Sequence, residues 1–105
     1  MPFAMKEMYQ FMVHFVIPAP VPHGFYELMP FQDKVVEQYL FDGKLLNYAL
    51  SMDNDRLWAV FNARSEMEVR EMLLDFPLTE FMEIEVSLLS AFHIQDQEAA
   101  GFSLN

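Results

Sequence analysis

Cysteine is absent from this 105-residue chain, which removes a disulfide framework, a thiol nucleophile and a thiolate metal site together. The absence is compatible with a reducing compartment, and a cytoplasmic location is expected. Basic residues are scarce: six Lys and Arg stand against 16 Asp and Glu, for a formal net charge of −10. Such a field opposes phosphate backbones and anionic lipid surfaces, so neither nucleic acid nor membrane is expected as a partner. A long unbroken apolar run is also missing. The longest uncharged stretch near the N-terminus, Met8 to Pro22, holds Gln10, His14 and three prolines, whereas a spanning helix needs about 20 mostly apolar residues. Lys6 and Glu7 precede it without a small-residue cleavage pattern, so no signal peptide is expected. The histidines His14, His23 and His93 lie far apart and lack the H-x-x-x-H spacing of a metal site. No metal and no cofactor are expected.

What is abundant is apolar surface: 53% of residues, including 11 Phe and nine Met. A chain of this length builds one core and hides only about two-thirds of its unfolded surface, so residues 1–105 are expected to form a single domain. One small core does not absorb so many large side chains. Subunit contacts or a ligand cavity would take up the excess.

The order of elements follows from periodicity. Tyr9, Phe11, Val13, Phe15 and Ile17 fall on one side of a first strand, and Met8, Gln10, Met12, His14 and Val16 on the other. Both faces are apolar enough to be covered. Pro18, Pro20 and Pro22 make the stretch to Gly24 an extended connection. Phe25, Leu28, Phe31, Val36, Tyr39 and Leu40 form a helical stripe that stops at Gly43. Pro30 either opens this helix or kinks a longer one, and a long helix with an irregularity near residue 30 is expected. Leu45 to Met52 and Leu57 to Phe61 read as a hairpin around Asp53, Asn54 and Asp55. Ser65 and Glu68 form a capping box for a second helix with Met67, Met72, Leu73 and Phe76 on its apolar face. The last strand, about Phe81 to Leu89, sets Met82, Ile84, Val86 and Leu88 opposite Glu83, Glu85 and Ser87. This βαββαβ order predicts an α+β fold: a four-stranded antiparallel sheet with two helices on one face. Its open face is expected to pack on a second copy, and the tail from Gln95 to be held only if a neighbour receives it.

Three segments carry a resemblance. Leu57-Trp58-Ala59-Val60-Phe61-Asn62, then Met72-Leu73-Leu74-Asp75-Phe76-Pro77-Leu78, then Phe81-Met82-Glu83-Ile84-Glu85-Val86 are similar to the muconolactone isomerase family. The resemblance implies a ferredoxin-like α+β barrel dimer that assembles further, with the C-terminal tail exchanged between subunits. It also implies a double-bond shift in a lactone, in which a carboxylate on the first helix removes and returns a proton. Aligned through Asp42-Gly43, that position is Gln32, and an amide cannot carry a proton at neutral pH. A family histidine near the start of the third strand falls on Asn54. Asp33 or Glu27 would replace the missing base if the helix register shifts at Pro30.

Other candidates have ordinary explanations beside functional ones. His14 serves either as a pocket acid or base or as a partly buried, hydrogen-bonded histidine. Tyr48, Arg56 and Trp58 come from the hairpin and would give a cavity aromatic walls and one cation for a carboxylate or enolate. Against that, Trp58 suits a core, and Arg56 suits an ion pair with Asp53 or Asp55. Tyr26 and Glu27 sit where a pocket mouth is expected, or where a first helical turn is simply exposed. Glu83 and Glu85, about 7 Å apart on a strand, belong to a solvated or inter-subunit face rather than to acid–base work. The methionines fill gaps in a core or adapt to an apolar ligand.

The functional expectation is therefore a muconolactone isomerase-like homo-oligomer with altered or lost isomerase activity, holding a small hydrophobic acid or lactone in an apolar pocket. A non-catalytic ligand-binding or assembly protein is the first alternative. A cofactorless monooxygenase, resting on fold analogy alone, is the second.

Overall fold

In the computed structural model, which describes residues 7–91, the alternation of β1 (Tyr9–Val16) decides the architecture. Phe11, Val13 and Phe15 are buried on one side, while Gln10, Met12, His14 and Val16 stay partly exposed on the other. β1 is central. It pairs antiparallel with β3 (Arg56–Ala63) and with β4 (Glu83–Leu88), and β2 (Leu45–Leu50) completes the sheet in the order β2-β3-β1-β4. The register sets Phe11 opposite Phe61 and Leu88, and Phe15 opposite Leu57 and Ile84. One face of the sheet thus gathers the core, with α1 (Met29–Phe41) and α2 (Glu66–Leu73) over it. This is the ferredoxin-like α+β fold.

Local chemistry explains the ends of the helices. The α-helix does not run through Pro30 as a long kinked helix. It starts at Met29 with Pro30 in its first turn, and a 3-10 turn, Tyr26–Leu28, leads into it. Proline's missing N–H costs nothing where the helix has no acceptor for it. At the other end Gly43 has φ 77°, the Lys44 N–H donates to the Tyr39 carbonyl (3.0 Å), and the Gly43 N–H donates to that of Leu40 (3.2 Å). These two bonds are a Schellman stop. In α2 the Ser65 hydroxyl accepts from the Glu68 N–H at 3.1 Å, but Glu68 reaches back one residue further than a capping box requires, to the Arg64 N–H at 2.7 Å. The buried stripe of α2 is Val69 and Leu73; Met67, expected on that face, is 70% exposed.

On the open face the rows read Arg56-Val16-Glu83, Trp58-His14-Glu85 and Val60-Met12-Ser87 across β3, β1 and β4. Val60 is fully buried there, with no helix of the described residues above it. No helix among the described residues is long and apolar enough to cross a membrane. His93 and the tail from Gln95, for which exchange between subunits is expected, lie outside the described residues.

Candidate pocket beneath the first helix

The start of α1, the end of β2 and the hairpin turn meet at one end of the sheet, and a cavity of about 60 Å³ opens between them. Its walls are apolar: Ile17, Phe25, Met29, Leu57 and Leu78 close the inner side, and Tyr26 and Leu50 flank it. Tyr26 and Leu50 are 60% and 44% exposed, so apolar surface continues to the mouth. Four polar residues line the cavity: Gln32 and Tyr48 within it, and the exposed Asp33 and Asn54 at its rim.

Gln32 is 2% exposed, the sole polar residue among the fully buried ones described. Its Oε1 accepts the Leu78 N–H at 3.0 Å, and its Nε2 donates to the Tyr48 hydroxyl oxygen at 3.1 Å. The backbone N–H can only donate, so it selects the amide orientation. The bond also ties α1 to the turn that leads into β4. With its lone pair engaged by Gln32, the Tyr48 phenol retains its own proton for a further partner. Burial pushes the Tyr48 phenol above its ordinary range and the charge of Asp33 adds to this, while the Gln32 hydrogen bond works against them. Tyr48 is a neutral donor at any physiological pH.

Asn54 owes its place to the turn. It has φ 60°, a left-handed conformation that Asn tolerates. Ser51 closes the turn by accepting the Asp55 and Arg56 N–H groups at 3.1 Å each and donating to the Asp55 carboxylate at 2.8 Å.

The other expected site residues lie elsewhere. His14 and Trp58 face the open side of the sheet, where their rings stack at 5.9 Å with planes 9° apart. Strand alternation puts them there, because their neighbours Val13, Phe15, Leu57 and Ala59 fill the core. Arg56 shares that open face. The ion pairs among the described residues are Arg64–Glu68 and Arg70–Glu66, so Arg56 is not bound to Asp53 or Asp55. Glu27 is exposed on the 3-10 turn and does not line the cavity. The Leu78 N–H, which orients Gln32, escaped the sequence reading; a backbone donor leaves no mark in residue type. Among the described residues no group of three His, Cys, Asp or Glu could hold a metal ion.

Comparison with known proteins adds the lineage. No curated protein matches the chain. Among solved structures it is similar to muconolactone isomerase, with 22% identity and a TM-score of 0.65 over 84% of this chain and 99% of that one. It is also similar to a candidate antibiotic biosynthesis monooxygenase from Nitrosomonas europaea (9% identity, TM-score 0.54, 87% and 96% covered). An uncharacterized protein from Thermotoga maritima is a further neighbour (8% identity, TM-score 0.51, 80% and 100% covered). At such identities these likenesses concern the fold alone. The family model for muconolactone delta-isomerase, in contrast, matches residues 9–95. The chain belongs to the muconolactone delta-isomerase family.

Proposed function

We propose that this protein binds a small lactone or related apolar carbonyl compound in the cavity beneath α1, and that the family's proton transfer through helix position 32 has been lost. The observation that carries this is the Gln32 side chain. It is buried and held at both ends, by the Leu78 N–H and the Tyr48 hydroxyl, and a carboxamide neither takes up nor returns a proton near neutrality. What remains supports binding: apolar walls, the Tyr48 phenol as donor, and Asp33 and Asn54 at the rim. Any residual proton transfer falls to Asp33, an exposed residue at the cavity's rim.

The experiment is the ultraviolet absorbance change of muconolactone with the unmodified protein, with an authentic isomerase and with Gln32→Glu. A glutamate at 32 keeps both contacts, because Tyr48 turns its proton toward the carboxylate while Leu78 still donates. The expected result is silence from the unmodified protein and turnover by Gln32→Glu. Turnover by the unmodified protein at the isomerase's rate overturns the loss of chemistry. Silence from both leaves the cavity without the family's substrate.

The open face of the sheet supports a homo-oligomeric reading. A two-fold axis along the strands would lay β4 of one copy over β2 and β3 of the other, bringing Glu83 and Glu85 toward Arg56. Trp58, Met12 and Val16 would lie between.

A further inference from the structure

Two rows of the open face cross all four strands: Asn47-Val60-Met12-Ser87 and Ala49-Trp58-His14-Glu85. His14 is therefore central to that face. On its β3 side the imidazole lies nearly parallel to the Trp58 indole, with 5.9 Å between ring centres. On its β4 side it stands directly opposite Glu85, and side chains paired in this way start about 5 Å apart. The other charged groups of the described face near it are Arg56 on β3 and Glu83 on β4, in the next row on either side of Val16. Those two offset each other. Within the His14 row the imidazole alone changes charge near neutrality.

From this arrangement we infer that His14 is a pH-sensitive latch of self-association: the open face takes a second copy of the chain more tightly when the imidazole is protonated. The inference rests on the sheet-to-sheet reading given above. A two-fold axis between β1 and β3, at the middle of the sheet, lays each row over itself, so Trp58 of one copy covers His14 of the other. Such a contact strips water from the row, Glu85 included. A carboxylate leaving water is costly unless a positive charge stands near it. A protonated His14 supplies that charge from the neighbouring strand, and it lies against two indoles, each of which attracts a cation. A neutral His14 does neither. Moving the imidazolium itself out of water works in the other direction, and the Glu85 charge and the two indoles offset it. Association therefore takes up protons at the two histidines. By linkage it strengthens as pH falls through the range in which an imidazole titrates, from about 8 to about 5.

Sedimentation of the full chain at about pH 5.5 and about pH 8 brackets that range and gives the dimer dissociation constant at each end. The parent is expected to associate at least about tenfold more tightly at the lower pH. His14→Gln, in which His23 and His93 remain, is expected to lose this ratio to within about twofold. Glu85→Gln is expected to tighten the dimer at the higher pH and to narrow the ratio severalfold. Trp58 is the chain's one tryptophan, and a protonated imidazole beside an indole quenches its emission, so fluorescence of the same samples follows His14 directly. Quenching at the lower pH is expected in the parent and not in His14→Gln; equal emission from both overturns the contact on which the latch depends. A parent dimer whose dissociation constant is constant, or falls toward the higher pH, overturns the latch and leaves the sheet-to-sheet contact standing. A ratio that survives in His14→Gln overturns the assignment to His14. A parent that is monomeric at both pH values overturns the contact and the latch together.

Discussion

At position 32, where the family resemblance implies a carboxylate, this chain has an amide that is engaged at both ends. Gln32 spends its acceptor on a backbone N–H and a donor on a phenol oxygen, and no buried side-chain polar atom among the described residues lacks a partner. Truncation would break this. Gln32→Ala is expected to cost about 3 kcal/mol, because it leaves the Leu78 N–H unpaired beside a new void. Gln32→Glu, which keeps both contacts, should cost less. Urea unfolding of the two variants gives the comparison, and an alanine variant as stable as the parent would mean that the amide is not the clamp described.

Between elements, the counterpart of the Gln32 clamp is the Tyr39–Asp75 hydrogen bond (2.5 Å), which joins α1 to the turn after α2. The Tyr39 ring lies against Phe76 at 4.9 Å between centres, with Phe61 behind both. Burial first, then the hydrogen bond to Asp75 and the charges of Asp75 and Asp42, push the Tyr39 phenol far above its ordinary range. The neutral phenol is therefore favoured more in the folded state than in the unfolded one. Its contribution to stability is complete below the unfolded pKa of about 10 and is lost as pH rises beyond it toward the folded value. Tyr39→Phe should lower stability by about 1 kcal/mol at pH 8, and the gap between parent and variant should close as pH rises from about 9 to about 12. Tyr48, raised by burial as well, keeps some alkaline sensitivity in both. Thermal melts across that pH range measure the gap; a constant gap would separate Tyr39 from the alkaline loss.

For the whole molecule, the question is what covers the second face of the sheet. Trp58 is 38% exposed on it, beside His14 and the buried Val60, and the described residues provide no layer there. Trp58→Glu would set a charge in the middle of the proposed contact and opposite the acidic edge of β4. Sedimentation is expected to find the parent dimeric or larger and this variant a monomer of unchanged far-ultraviolet circular dichroism. A parent that stays monomeric at high micromolar concentration would leave the open face to another partner.

Local rules in the sequence were sufficient for the element order, the faces of β1 and β4, the stop at Gly43 and the cap at Ser65, because alternation, a left-handed glycine and a capping hydroxyl act within a few residues. Helix position 32 was legible as the anomalous amide through the family resemblance. What the chain's order could not decide is which side chains share a space. Gln32 and Leu78 are 46 positions apart and meet across one hydrogen bond. His14 and Trp58, pocket candidates by type, share the open face by strand alternation, and only the packing of the helices decided that the cavity would lie on the other side of the sheet. Periodicity determined the fold; tertiary pairing decided that the cavity would hold a phenol, two amides and one carboxylate, and that the described cations would all lie outside it.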